Sequence, residues 1–261
     1  MFARKFTIAI YFSSAGNTKY CINQFISYLH EDVLTVSIED VACAKHLSKH
    51  QDVILAYPIY FSDLPRIVRE FLYKNSANFN GKNVFIISTM EAFSGDGTGC
   101  AARILKKFGA NITGGAHIKM PGFILDVGIF SYSHEKNERI ISQASIKIKH
   151  LAELFMAGKY PKHGLSLFHQ IAGFLGQRLW MKIYDKTPFS KSKPTLDEAR
   201  CTGCGSCVKP CPMANISLVA RKAKFDDNCT LCYRCVNICN QKAITILGKA
   251  KNLEKSIPAR F

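Results

Sequence analysis

Cys201-Thr202-Gly203-Cys204-Gly205-Ser206-Cys207-Val208-Lys209-Pro210-Cys211 returns 28 residues later as Cys229-Thr230-Leu231-Cys232-Tyr233-Arg234-Cys235-Val236-Asn237-Ile238-Cys239. Each copy is a C-x2-C-x2-C-x3-C run, and the two together take eight of the chain's 11 cysteines. Disulfides are the ordinary fate of so many cysteines, but nothing else in the chain points to secretion. Zinc takes four ligands from pairs of C-x2-C, and a third cysteine at the same close spacing is not its habit. Three thiolates two residues apart can wrap an inorganic cube, so the runs point to two [4Fe-4S] clusters. A segment as short as 194–250 makes a poor core on its own, and metal ligation has to hold it folded. Gly203, Gly205, Pro210 and Pro212 keep the first copy out of regular helix near its thiols.

Upstream the pattern changes. Residues 6–12 (FTIAIYF) form a compact β-branched and aromatic run, which reads as a buried strand leading into a loop. Lys19 to His30 reads as a helix, with Ile22, Phe25, Ile26 and Leu29 on one face. Strands are expected at 33–38, 52–57, 84–88 and around 112–118. Helices are expected at Leu64 to Leu72, opened by Pro65, near 99–108, and from Glu138 to Ala157. Apolar strands without alternation, separated by helices, indicate a parallel sheet covered on both faces. Five strands in about 160 residues fit a doubly wound α/β domain. The expected boundaries are therefore 1–160 for this domain, 161–193 for a basic connector, 194–250 for the cysteine-rich α+β domain and 251–261 for a basic tail.

Three loops follow the strands that matter. Tyr11-Phe12-Ser13-Ser14-Ala15-Gly16-Asn17-Thr18-Lys19 carries small hydroxyl residues and a glycine at the mouth of a helix, where backbone N–H groups can close on a phosphate. Tyr57-Pro58-Ile59-Tyr60-Phe61-Ser62-Asp63-Leu64-Pro65 follows the third strand. Ser88-Thr89-Met90-Glu91-Ala92-Phe93-Ser94-Gly95-Asp96-Gly97 follows the fourth. A tight strand-to-helix turn favours the same residue types without any ligand, and an aromatic in such a loop can equally be a core or surface residue.

The first loop resembles the phosphate loop of flavodoxins, and the second resembles their loop that sets an aromatic against the flavin ring. The cysteine runs are similar to those of bacterial two-cluster ferredoxins. The whole chain thus resembles flavodoxin–ferredoxin fusion proteins, firmly at 201–239 and more loosely at 1–160. That resemblance implies a sheet of order 2-1-3-4-5 and a bound FMN. It implies phosphate contacts from Ser13, Ser14, Asn17 and Thr18, and ring contacts from Pro58, Tyr60, Phe61, Thr89, Met90, Phe93 and Gly95. It also implies an exchange of ligands between runs. Cluster I takes Cys201, Cys204, Cys207 and Cys239, and cluster II takes Cys229, Cys232, Cys235 and Cys211. Pro212 gives the family's C-P ending in the first run, whereas the second has Asn240. Met120-Pro121-Gly122-Phe123 sits where these fusions have a loop after the fifth strand, although its residues differ from the family's.

The implied function is electron transfer between FMN, two clusters and a protein redox partner. Two alternatives stay open: a reductase acting on a quinone or nitro compound, and a redox-sensing regulator. No G-x-G-x-x-G follows a strand, which disfavours a dinucleotide site. Glu91 and Asp96 either place negative charge near the flavin or are simply solvated. Cys21, Cys43 and Cys100 are isolated and are assigned no role.

Charge adds a partner class. The chain carries 35 Lys and Arg against 19 Asp and Glu, a formal +16. No helix-turn-helix, RRM or zinc-finger signature accompanies it, so an acidic redox protein is favoured over nucleic acid. The 161–193 stretch has the densest charge. From Gly164 to Tyr184 its apolar residues Phe168, Ile171, Leu175, Leu179 and Ile183 recur at helical spacing and read as a helix, either packed between the domains or lying on an anionic membrane surface. The run from Arg4 to Ala15 imitates a signal peptide, but its apolar part is short and holds Thr7 and Tyr11. A first strand and a cytoplasmic location are expected instead.

Overall fold

The computed structural model describes residues 7–29, 32–60, 63–91, 97–126, 133–166, 171 and 194–253. Five strands, β1 (Thr7–Tyr11), β2 (Leu34–Ser37), β3 (Asp52–Pro58), β4 (Asn83–Met90) and β5 (Asn111–Lys119), form one sheet of order 2-1-3-4-5. Every pairing is parallel. The central strand β3 is buried along its whole length, which is why its sequence shows no alternation.

Alternate strand residues nonetheless serve two different cores. Ile8, Ile10, Val53, Leu55, Tyr57, Val84 and Ile86 point to one face, with α3 (Arg66–Lys74) and α4 (Gly97–Lys107) over them. Ala9, Ile54, Ala56, Phe85, Ile87, Ala116 and Ile118 point to the other, under α1 (Asn17–Ser27) and α5 (His134–Met156). Small residues on strands β1, β3 and β5 leave room there for an aromatic cluster. Phe25 and Phe155 lie edge-on at 5.4 Å, and Phe85 and Phe155 at 5.2 Å.

The expected strands and long helices match these elements, with three kinds of difference. Helix α5 begins four residues before the expected Glu138, because the Ser133 side chain accepts a hydrogen bond from the Lys136 N–H. Its first turn is polar and carries no apolar periodicity, but Ser at that position and Glu135 behind it favour a helix start. The short helix α2 (Cys43–Ser48) and a 3-10 turn at Ser76–Phe79 bury too few residues to be read from periodicity. The helix expected from Gly164 does not start there: Gly164 has φ +74, and Leu165 packs on the first core. Nearly all the rest of that expected helix lies outside the described residues.

The C-terminal domain is small and irregular. Strand Thr195–Leu196 pairs antiparallel with Ile244–Thr245, and Ile216–Val219 with Lys222–Phe225. The second pair turns through Ala220 and Arg221, both with positive φ, as a two-residue hairpin requires. Its core includes Ile216, Ala223, Tyr233, Val236 and Ile244, completed by Ile124 and Leu125 from the loop after β5. That loop is pinned by Asp126. One carboxylate oxygen accepts the N–H groups of Ile246, Leu247 and Gly248 at 2.7, 3.1 and 3.1 Å. Its backbone carbonyl accepts from Lys249 N and Asn252 Nδ2.

Candidate cofactor site

The repeat seen in the sequence is also a repeat of backbone shape. Gly203 and Leu231, Gly205 and Tyr233, and Ala214 and Lys242 are equivalent pairs, and all six have positive φ. A left-handed turn costs a side-chain-bearing residue ~1–2 kcal/mol, so Leu231 and Tyr233 hold strain that the glycines of the first copy avoid. The turns aim N–H groups at sulfur. Leu231 N donates to Cys229 Sγ at 3.3 Å, Asn215 N to Cys211 Sγ at 3.3 Å, and Ala243 N to Cys239 Sγ at 3.4 Å. Hydrogen bonds to the sulfurs are among the means by which a protein tunes a bound cluster.

The eight thiols divide into two groups. Cys201, Cys204, Cys207 and Cys239 line one open pocket of about 360 Å3, and Cys211, Cys229, Cys232 and Cys235 line another of about 320 Å3. Burial, followed by the nearness of Cys239, Cys201 and Cys204, pushes the Cys207 thiol up. Burial, followed by Cys232, Cys229 and Cys211, does the same for Cys235. No cysteine is paired in a disulfide among the described residues. Nor do three His, Cys, Asp or Glu side chains there converge as one metal ion would require. Four thiols lining each of two separate pockets give each quartet the ligand count of one [4Fe-4S] cube. The two pockets differ in exposure: Cys204 is exposed, whereas Cys232 and Cys235 are buried.

The flavin-type loops gather at the carboxyl ends of β1, β3 and β4, where an open α/β sheet takes its ligand. Gly16, with φ +98, caps α1; the left-handed turn there is one that glycine adopts without penalty. The Ser13 hydroxyl accepts from Lys19 N, and Thr18 and Thr89 bond each other at 2.8 Å. Asn17 Nδ2 donates to the Pro121 carbonyl at 2.7 Å, while Asn17 Oδ1 is buried with no hydrogen-bond partner. A ligand hydroxyl would satisfy that oxygen, as the ribityl chain of FMN can. Tyr60 is buried, and the Ser14 hydroxyl lies beside its phenol without completing a hydrogen bond. Pro58 is buried next to it and Met90 half-buried across the sheet. Phe61, Phe93, Gly95 and Asp96 lie outside the described residues, and Glu91 sits against Gly122.

Three residues that the sequence reading did not single out, Arg234, Glu39 and Tyr233, join the two halves. Arg234 makes a double ion pair with Glu39, at 2.7 and 2.6 Å. It also donates to the carbonyls of Ser13 and Ser14, and its guanidinium stands 5.4 Å from the Phe12 ring centre. Tyr233 meets Phe123 edge-on at 5.8 Å, and Phe123 lies 5.2 Å from Tyr60. Cys232 belongs to the same packed core as Phe12 and Tyr60. A signal was available: Tyr233-Arg234 stands where the first copy has Gly205-Ser206. The isolated Cys21, Cys43 and Cys100 are all buried.

A flavin-type sheet carrying two cysteine quartets defines an electron-transfer protein with two kinds of cofactor domain. The flavodoxin domain family matches residues 8–110 and the 4Fe-4S dicluster domain family residues 193–240. The chain belongs to the ferredoxin family in its C-terminal part, and the two matches together are consistent with a flavodoxin–ferredoxin fusion. A ferredoxin of Methanothermococcus thermolithotrophicus is 38% identical over 56 residues, 20% of this chain and 93% of that one. A component of an ion-translocating oxidoreductase complex of Methanosarcina acetivorans is 44% identical over 57 residues, 22% of each chain. The chain spans about a quarter of the length of the first curated relatives it matches. The solved two-electron reduced flavodoxin of Megasphaera elsdenii aligns with TM-score 0.41 and 19% identity, covering 54% of this chain and 98% of that one. FMN and [4Fe-4S] clusters are the cofactors of these domains.

Proposed function

We propose that this chain links two-electron exchange at FMN to one-electron exchange at two clusters, and hands single electrons to an acidic redox protein. FMN supplies the capacity to take two electrons and give them up singly, and each cluster carries one. Cluster I would be held by Cys201, Cys204, Cys207 and Cys239, and cluster II by Cys229, Cys232, Cys235 and Cys211. Ser13, Ser14, Asn17 and Thr18 would hold the phosphate end of FMN. Pro58, Tyr60, Phe61, Thr89, Met90, Phe93 and Gly95 would border its ring. Units of 1–160 and 194–250, joined by 161–193 and trailed by 251–261, are the matching division of the chain.

One observation carries the reading: Cys232, a cluster II thiol, is packed into the core beside Tyr60 on the flavin loop. Cluster II is then the inner station and cluster I, with Cys204 in the open, the outer one. Exposed lysines and a net +16 suit steering of an acidic partner. No helix among the described residues is long and apolar enough to cross a membrane, and a cytoplasmic site of action is part of the proposal.

The test is anaerobic purification with iron, sulfide and flavin analysis and EPR of the reduced protein. About eight iron and one FMN per chain are expected from two four-iron cubes and one flavin site; near-stoichiometric zinc with little iron, or no flavin, overturns the proposal. Steady turnover with a quinone or nitro compound alone would replace the carrier by a reductase. Salt-sensitive DNA binding that follows cluster oxidation would replace it by a regulator.

A further inference from the structure

We infer that Arg234, lodged between two cluster II thiols, is a positioning residue for the FMN phosphate loop. It would orient the loop's amides from the neighbouring domain and so couple flavin binding to docking of the cluster domain. The inference rests on the FMN and cluster assignment above.

The geometry is specific. Arg234 lies in Cys232-Tyr233-Arg234-Cys235, yet its side chain leaves its own domain. Nη2 donates to the Ser13 carbonyl at 2.6 Å and Nε to the Ser14 carbonyl at 3.2 Å. In a trans peptide the carbonyl of one residue and the N–H of the next point in opposite directions. Drawing the Ser13 and Ser14 carbonyls toward the guanidinium therefore turns the N–H groups of Ser14 and Ala15 away from it. Backbone N–H groups turned inward in this way are what a phosphate at a helix mouth requires. A guanidinium suits the task because its fork of donors can hold two carbonyls and a carboxylate at once.

Glu39 fixes the role as orientation rather than attraction. Its carboxylate takes both Nη atoms, at 2.7 and 2.6 Å, so the pair adds almost no net charge beside the loop. Both side chains are mostly buried, at 19% and 26% exposed, so the guanidinium is not a loose surface arm. The Pro210 carbonyl, one residue before the cluster II thiol Cys211, accepts a further bond at 3.2 Å. The same side chain thus touches the cysteine scaffold and the phosphate loop. The first copy of the repeat has Ser206 at this position and cannot make the connection.

The test compares FMN with riboflavin, which lacks the phosphate, by fluorescence quenching on the full anaerobic protein. Arg234→Met should weaken FMN about tenfold, the effect of ~1.4 kcal/mol, and leave riboflavin within about twofold, the level of small packing changes. Arg234→Lys, keeping one donor group, should recover part of the loss. Equal weakening of both flavins, or no weakening of FMN, overturns the inference. Should Arg234→Met lose its clusters by iron analysis, Glu39→Gln, outside the cysteine runs, carries the same asymmetry at about threefold, and its absence is equally fatal. Failure of the unaltered protein to bind FMN sinks the proposed function instead, so the two failures are distinct.

Discussion

Asp126→Ala should release the cluster domain while leaving the flavodoxin-type domain folded. The Asp126 carboxylate is fully buried, and one of its oxygens accepts three consecutive N–H groups from Ile246 to Gly248. A hydrogen bond to a charged group contributes ~1.5–3 kcal/mol, but three that share one oxygen do not add fully. We therefore expect a loss of about 3–5 kcal/mol, or two to four decades in the docking equilibrium. The Asp126 carbonyl keeps its bonds to Lys249 and Asn252, because they use backbone. Asp126→Asn retains a neutral acceptor and should lose about half as much. The assay is urea denaturation under argon, following cluster absorbance and far-ultraviolet circular dichroism together. Cluster bleaching should move to lower urea in both variants, further in Ala than in Asn, while the main dichroism transition stays in place. The reasoning fails if bleaching does not move, or if both signals shift together.

The other expectations concern single positions. Gly203→Ala sets a Cβ 2.1 Å from the Arg221 carbonyl oxygen at φ +71 and should cost ~2–4 kcal/mol and much of the iron of cluster I; Leu231→Gly, which relieves strain at the equivalent place, should leave iron content and stability at least as high. Phe25→Ala, between Phe85 and Phe155, should lower the flavodoxin-type domain's unfolding free energy by ~3–5 kcal/mol, read by circular dichroism. Burial, followed by the nearby Asp40 charge, pushes the Cys43 thiol up to about 12 from 9.0. The folded state therefore keeps its proton longer: this contribution is whole below pH 9, falls by at most ~1.4 kcal/mol per pH unit above it, and is gone beyond about 12. Against Cys43→Ala, reduced protein titrated with urea should show its stability advantage shrinking across that interval, and a constant difference would refute the assignment.

The sheet was readable because its strands are buried on both faces, which leaves long apolar runs such as VILAYP in β3. The cysteine repeat was readable because its spacing is covalent information. What escaped was contact between distant segments. Asp126 looks like any loop aspartate until Ile246 to Gly248 are brought over it, and Glu39 like a solvated charge until Arg234 arrives across 195 residues. Helix α2 escaped for a different reason: only Cys43 and Leu47 are buried, too few to mark a period. Tyr233 and Arg234 lay in plain view inside the repeat, and comparing the two copies for their differences would have flagged both.

A doubled module with equal halves has no front and no back. Here the exchange of Gly-Ser for Tyr-Arg at one turn gives it both, since that end is spoken for by the neighbouring domain and the opposite end is left facing the outside world. On the proposed cofactor assignment, polarity along the carriers would need no asymmetry in the inorganic chemistry itself, only two side chains on one of two near-identical loops.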